Sequence, residues 1–162
     1  RWYNALQETA AAEVVAACCA APAWAAGLAA GRPYPDLDAL VAASDALVAG
    51  LSWPQVLAAL EAHPRIGERP TGPGAEAAAS RREQAAVGAD AELAAALAAA
   101  NVDYESRFGH VYLVRAAGRT GTELLALLRS RLGNTAAAEQ DVVRGELAEI
   151  TALRLRGMWG TP

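Results

Sequence analysis

The stretch from Ser52 to Pro64, SWPQVLAALEAHP, is the segment from which the fold is best interpreted. Its first residue, a serine, is followed three residues later by Gln55, and this pattern predicts a helix with a capping box. At 100° per residue, His63 falls within about one quadrant of Trp53 and Leu60. The imidazole is therefore predicted to end an apolar stripe and to face the interior.

The length and charge of the chain limit its class. A chain of 162 residues fits a single domain, residues 1–162, with one sizeable core. It has no apolar run of about 18 residues and no leader resembling a signal peptide, so we expect a soluble, cytoplasmic protein without a membrane partner. The net charge is −4 and no basic stripe is interleaved with aromatics, so a nucleic-acid partner is not expected.

The missing residue types restrict the chemistry. All 14 basic residues are arginine, and the absence of lysine excludes Schiff-base chemistry, pyridoxal phosphate anchoring and a P-loop lysine. With two histidines and no C-x-x-C motif, a zinc site lacks its usual ligands, so no metal is expected. The adjacent Cys18 and Cys19 lie in an alanine-rich helical stretch and are expected to be reduced and buried.

Helical patterns follow one another along nearly the whole chain. They predict an all-α fold, a bundle of about eight helices with one short extended segment near residues 110–116. The predicted helices run from a cap at Asn4 through Cys19, then to Gly31, from Asp36 to Gly50, from Ser52 to His63, over about 75–87, over about 90–107, from Thr120 to Gly133, and from Asn134 or Thr135 to about Met158. A loop rich in proline and glycine separates the fourth helix from the fifth.

Two helices carry polar residues on faces that should point inward. In the fifth, Ser80 and Glu83 share a face, with Arg81 and Arg82 on the opposite side. In the last, Arg154 falls on the apolar stripe, whereas Arg156 points away. A buried arginine is costly unless it meets a carboxylate or an anionic ligand, so Arg154 requires such a partner.

These inward residues supply an imidazole, a carboxylate, a hydroxyl and a fixed cation, which together suit the handling of a small anion. Structural interpretations stand beside this one. An inward histidine is often a hydrogen-bonded core residue, and an inward arginine with an inward glutamate is often a structural ion pair. The residue types alone leave both interpretations open.

Short motifs distributed along the chain carry a family resemblance. They are Arg32-Pro33-Tyr34, His63-Pro64, Ser80-x-x-Glu83-Gln84, Phe108-Gly109 followed by Tyr112, Arg131-Leu132-x-Asn134, Glu149-Ile150 and Leu153-Arg154-Leu155. In order and spacing they resemble the 2-oxo-4-hydroxy-4-carboxy-5-ureidoimidazoline (OHCU) decarboxylases, cofactor-independent enzymes that form (S)-allantoin in urate breakdown. The resemblance covers almost the whole chain.

This resemblance implies an all-α enzyme that uses His63 as catalytic acid or base, with Glu83 orienting it or holding substrate N–H groups. The implied substrate contacts are Pro64, Ser80, Arg81, Arg82, Glu83, Gln84, Tyr112, Leu113, Val114, Arg115, Ala116 and Arg154. It further implies a small ureidoimidazoline substrate, no metal or organic cofactor, and a homodimer.

The chain departs from the family pattern at several positions. It reads H-P-R-I-G where many relatives read H-P-D-L-A-G, so Arg65 inherits no role. Arg115 stands where relatives often have a small or apolar residue, which predicts a backbone contact and an outward side chain. His110 occupies a variable position and is expected to be structural.

The sequence leaves open the protonation state of His63, the further hydrogen-bond donors of the site and two alternative functions. The C-terminal end of its helix favours a protonated imidazole, whereas burial favours a neutral one. Unpaired backbone N–H groups of residues 112–116 are expected to add hydrogen-bond donors. Two alternatives to the decarboxylase are a catalytically silent helical ligand-binding module and a cofactor-free enzyme acting on a related ureide.

Overall fold

A computed structural model of the protein describes residues 2–66 and 91–159, and within these ranges the chain is helical with no β-strand. The elements are a 3-10 turn at Tyr3–Ala5, α1 at Glu8–Val15, α2 at Pro22–Ala30, α3 at Leu37–Ala49, α4 at Trp53–Leu60, α5 at Ala91–Phe108, α6 at Gly121–Arg131 and α7 at Ala136–Trp159. The predicted all-α class is confirmed. The helix predicted over 75–87 lies outside the described residues.

Polar caps begin most helices where the sequence predicts them. The Asp36 side chain accepts a hydrogen bond from the N–H of Ala39 at 2.8 Å. Ser52 and Gln55 form the reciprocal capping box at the start of α4. The Thr135 hydroxyl accepts from the N–H of Ala138 at 3.1 Å. Thr135, and not Asn134, therefore caps α7.

The prediction for the first helix is wrong at both ends. The side-chain amide of Asn4 is engaged by the backbone of Tyr34, donating to its carbonyl at 2.8 Å and accepting from its N–H at 3.0 Å. The amide therefore does not cap a helix, and α1 begins only at Glu8. The helix also ends at Val15, well before Ala21, which the following Pro22 holds in the extended region. Cys18 and Cys19 thus lie in a turn, although both are buried as predicted.

Two hydrophobic clusters fill the interior. The first core comprises buried residues of α1 to α4 and α7 together with Leu113. The second core comprises buried residues of α5 and α6 with Ile66, Tyr112, Val114 and Ala116. The two clusters are therefore joined by the segments that follow α4 and α5.

An extended segment, residues 111–116, connects α5 to α6 through the interior. Gly109 ends α5 with φ +79°, a conformation that favours glycine. From Val111 to Val114 the side chains alternate, because Val111 and Leu113 pack on the first core and Tyr112 and Val114 enter the second. The predicted extended conformation is confirmed, although no neighbouring strand among the described residues pairs with it.

None of the described helices is by itself long and apolar enough to cross a membrane. Helices α3 and α4 reach that length and composition only together, and they meet at a bend of 112°.

Candidate active site

His63 lies one turn beyond α4 and faces the interior. Its N–H donates to the Leu60 carbonyl at 2.9 Å, which continues the helix as a tight turn. The residue is 9% exposed, so the predicted inward orientation is confirmed. Burial, together with the nearby positive charge of Arg154, lowers the pKa of His63 to about 3. Burial thus prevails over the helix end, and the imidazole is neutral at physiological pH.

Arg154 occupies the apolar face of α7, as its position on the stripe predicts. It is 9% exposed, and the neighbouring Ile150 and Leu155 belong to the first core. Its Nη1 lies 3.5 Å from the carbonyl oxygen of Cys18, and its charge acts on His63. The structure therefore brings together two of the predicted site residues from helices distant in sequence.

The residues after His63 are attached to α5. Pro64 is half-buried, and Arg65 forms an ion pair with Glu105 at 2.8 Å. The side-chain amide of Asn101 donates to the Ile66 carbonyl at 3.1 Å. Because the Ile66 side chain is buried in the second core, the turn from His63 passes from one cluster to the other.

The predicted contacts on the fifth helix cannot be placed. Ser80, Arg81, Arg82, Glu83 and Gln84 all lie outside the described residues. Their roles as catalytic or substrate-binding residues stay predictions.

The extended segment offers its backbone rather than its side chains. Tyr112, Leu113, Val114 and Ala116 are each at most 4% exposed, so their side chains are packed in the cores. The Arg115 guanidinium, 30% exposed, pairs with Glu149 at 2.6 Å.

One predicted backbone donor in this segment is already engaged. The N–H of Arg115 donates to Glu146 Oε2 at 2.9 Å, so the expectation of a spare donor is wrong at this position. Within residues 2–66 and 91–159, the N–H groups of Leu113 and Val114 form no hydrogen bond.

Arg131 of α6 and Glu139 of α7 form a buried ion pair that was not predicted from the sequence. Arg131 Nε donates to Glu139 Oε1 at 2.7 Å, and Glu139 is fully buried. Tyr104 and Asn134 also donate to this carboxylate. Burial alone would raise the pKa of Glu139, but the hydrogen bonds from Arg131, Tyr104 and Asn134 hold it below its ordinary value.

The periodicity of α7 contained a signal for this pair. Glu139 precedes Val143 and Leu147 by four and eight residues, and therefore lies on the same apolar stripe as Arg154. Arg131 likewise follows Leu124 and Leu128 on the buried face of α6. Arg131 and Glu139 therefore carry the same sequence signal as Arg154, a charged residue on an apolar helix face.

Arg32, from the first family motif, and His110 both contact other parts of the fold. The Arg32 guanidinium donates to the carbonyls of Ala29, Tyr3 and Leu6, and so joins the N-terminal turn to α2. His110 packs its ring against Trp53 and two further aromatic rings. This packing is consistent with the structural role expected for His110.

Potential metal ligands are dispersed in the described part of the chain. Residues 2–66 and 91–159 contain no group of three or more histidine, cysteine, aspartate or glutamate side chains with a geometry suited to a metal ion.

Comparison with known sequences identifies one family. A family model described as OHCU decarboxylase matches residues 4–156. The chain is 32% identical over 144 residues to the 2-oxo-4-hydroxy-4-carboxy-5-ureidoimidazoline decarboxylase of Amia calva, covering 87% of this chain and 82% of that protein. It is 31% identical over 143 residues to the uric acid degradation bifunctional protein of Arabidopsis thaliana, covering 85% of this chain but only 44% of that longer protein.

Solved structures share the fold. An OHCU decarboxylase crystallised in the presence of (S)-allantoin superposes with a TM-score of 0.79 at 24% identity, covering 91% of this chain and 98% of that one. An (S)-allantoin synthase superposes with a TM-score of 0.71 at 18% identity, covering 96% of this chain and 52% of that one. At these identities the similarity establishes the architecture alone.

Proposed function

Because the chain belongs to the OHCU decarboxylase family, we propose that it converts 2-oxo-4-hydroxy-4-carboxy-5-ureidoimidazoline to (S)-allantoin, a step of urate degradation. It does so as a carboxy-lyase without a metal or organic cofactor. The observation that carries the proposal is a buried, neutral His63 beside the buried cation of Arg154. These groups supply a proton acceptor and an anion-binding charge in one place.

The reaction breaks the bond between ring carbon and carboxylate. Carbon dioxide departs without the bonding electron pair, which forms a C=C bond to the neighbouring ring carbon while the electrons of the C=N bond move onto the ring nitrogen, and that nitrogen takes up a proton. The hydroxyl group on the decarboxylated carbon then loses its proton to become the new carbonyl, and a proton is delivered to the neighbouring carbon. The face that receives this proton fixes the (S) configuration, so the protein must position a proton donor and acceptor on one side of the ring.

In this scheme His63 begins the cycle as a base. With a pKa of about 3 in the free protein, its imidazole is unprotonated and can accept the proton of the substrate hydroxyl. The negative charge of the bound substrate favours the imidazolium that results. The same group then returns a proton to carbon on the face it occupies.

Arg154 orients the substrate through an oxygen atom of the carboxylate or of the ring. A guanidinium that held the departing carboxylate too firmly would stabilise the ground state and slow the reaction. The role assigned to Arg154 is therefore orientation, together with stabilisation of negative charge that moves into the ring.

The remaining contacts follow the family pattern. Pro64 shapes the turn after His63, and Glu83 orients the imidazole or receives substrate N–H groups. Ser80, Arg81, Arg82 and Gln84 contribute from the same segment. In the extended segment the contacts of Tyr112 to Ala116 are made by the backbone, since their side chains are packed or paired.

The stereochemistry of the product tests this function. Spontaneous decay of the substrate gives racemic allantoin, whereas the proposed enzyme gives the (S) form. Purified protein is added to freshly generated substrate, and the circular dichroism of allantoin is followed. A faster reaction with (S) excess supports the proposal, and a racemic product at the uncatalysed rate refutes it. If related ureides or hydantoins are processed instead, the alternative substrate is correct.

The two histidines provide a matched pair of variants. We expect His63→Gln to lower the rate of (S)-allantoin formation by about 10²- to 10⁴-fold, the usual contribution of a general acid–base residue. His110→Gln, which changes a ring packed among aromatic residues, should retain most of the activity. Equal activity of the two variants would contradict the role of His63.

The proposal includes a homodimer, as the family resemblance implies, and the cytoplasmic location expected from the sequence. Sedimentation equilibrium of the purified chain measures its mass in solution. A single species of twice the mass of the chain supports the dimer, and a monomer at micromolar concentration contradicts it.

A further inference from the structure

We propose that Arg131 is a positioning residue that aims the backbone N–H of Val114 at the substrate by holding the carbonyl of Leu113. The inference rests on the proposed function, in which the extended segment contacts the substrate. It goes beyond that function by assigning a role to an ion pair lying between α6 and α7. Arg131 does not itself touch the substrate in this proposal.

The guanidinium of Arg131 divides its donors between two partners. Its Nε and Nη2 donate to Glu139, whereas Nη1 donates to the Leu113 carbonyl at 2.7 Å. The guanidinium carbon also lies 4.8 Å from the centre of the Tyr112 ring. Two successive residues of the extended segment are therefore held by one side chain.

The planarity of the peptide bond transmits this hold to Val114. The Leu113 carbonyl and the Val114 N–H belong to the same rigid peptide unit and point in opposite directions. When Arg131 fixes the carbonyl toward α6, it also directs the N–H away from α6. The N–H of Val114 makes no hydrogen bond within the described ranges, so this donor is available to a ligand.

A second contact fixes the next peptide unit. Glu146 Oε2 accepts from the N–H of Arg115 at 2.9 Å, so the following peptide plane is held from α7. Val114 thus lies between two fixed peptides, and its N–H has little freedom to turn. A donor held in this way loses little entropy when it binds a ligand.

The rest of the pair keeps Arg131 in place. Glu139 is fully buried and receives further hydrogen bonds from Tyr104 and Asn134, so its oxygens are fixed on several sides. A buried ion pair generally contributes little net stability compared with well-packed apolar residues. Because the ion pair adds little to stability, holding the extended segment in a defined orientation is a function that accounts for its presence.

The test compares three variants with the wild-type protein. Arg131→Lys retains a positive charge for Glu139 but lacks the fork that reaches Leu113 at the same time. The double variant Arg131→Met/Glu139→Leu removes both charges, so neither is left buried alone. Asn134→Ala removes one hydrogen bond from the same carboxylate without touching the extended segment. KM and kcat are measured well below the unfolding temperature of each variant.

If Arg131 positions the segment, Arg131→Lys and the double variant raise KM about tenfold, the equivalent of one hydrogen bond. Their kcat changes much less, because the contact is present in both the ground state and the transition state. Asn134→Ala keeps KM within about twofold, as only the support of Glu139 is changed. An unchanged KM in the folded double variant overturns the proposal.

Nuclear magnetic resonance with (S)-allantoin as the probe gives a second readout. In the wild-type protein the Val114 amide resonance should shift when (S)-allantoin is added, and in the double variant this shift should be lost. A Val114 amide that does not respond in the wild-type protein also overturns the proposal. Wild-type protein that leaves allantoin racemic refutes the proposed function instead, so the two failures are distinct.

Discussion

Arg131 and Arg154 are both buried cations on inward helix faces, and each lowers the pKa of a different kind of group. Arg131 meets the carboxylate of Glu139, whose pKa it helps to lower. Arg154 acts on the imidazole of His63, whose pKa its charge also lowers. The lowered pKa of Glu139 keeps its carboxylate ionised for the ion pair, whereas the lowered pKa of His63 keeps its imidazole neutral. The same positive charge therefore has opposite consequences for its neighbour, because it keeps a carboxylate charged and an imidazole uncharged.

The largest expected effect on stability comes from removing the charge of Arg131. Arg131→Met leaves the Glu139 carboxylate buried without its cation, and we expect it to lower the free energy of unfolding by about 3–5 kcal/mol. Urea denaturation followed by circular dichroism measures the change. Adding Glu139→Leu should recover much of the loss. A single variant as stable as the wild-type protein would show that the pair contributes nothing to the fold.

The next largest expected effect is on activity and comes from removing the charge of Arg154. Arg154→Met should reduce kcat/KM about 10²-fold, or about 3 kcal/mol, through the loss of a charge that stabilises the transition state. It should also raise the pKa of His63, because the positive charge that lowers it is removed. Titration of His63 by nuclear magnetic resonance measures this shift. A pKa that stays at about 3 would mean that burial alone determines it.

The pH dependence of stability sharpens the contrast. Unfolded His63 titrates near its ordinary 6.5 but in the fold near 3, so between these values the unfolded state binds more protons. Stability therefore falls as the pH is lowered through this window, by about 1.5–2 kcal/mol between pH 6.5 and 5, since the slope approaches 1.4 kcal/mol per unit below the unfolded pKa. Denaturation of His63→Gln over the same range should show a shallower slope. Parallel slopes for the two proteins would exclude His63 as the source.

The smallest effect comes from a third arginine, which lies on the outer face of α7. Arg156 pairs with Asp38 at 2.9 Å, and both side chains are largely exposed to water. Arg156→Met should therefore change stability by no more than about 0.5 kcal/mol, and less in high salt. Thermal unfolding at two salt concentrations measures it. A loss comparable to that of Arg131→Met would show that burial is not what separates these residues.

Periodicity and capping residues predicted much of the fold. The stripe ending in His63, the inward Arg154 and the caps at Asp36 and Ser52 depend on short-range spacing, which a sequence displays directly. The helix bounds failed where a distant contact intervened. Asn4 is engaged by Tyr34, 30 residues away, and no local pattern reveals that contact.

The site was predictable to a smaller extent. Its inward residues were identified, but the protonation of His63 depends on burial and on Arg154, 91 positions along the chain. The Glu139 pair was visible on the stripe of α7, yet its link to Leu113 required three elements to be placed together. Spacing alone thus finds which side chains face inward, and tertiary structure decides what they meet.

The alternation of residues 111–114 between the two cores limits how the sequence can change by insertion or deletion. Loss of Val111 would shift the following side chains by one position, sending Tyr112 toward the first core and Leu113 to the place of Tyr112. The Leu113 carbonyl would also turn away from Arg131. Variants of this chain should therefore accept substitutions along the segment more readily than any change in its length.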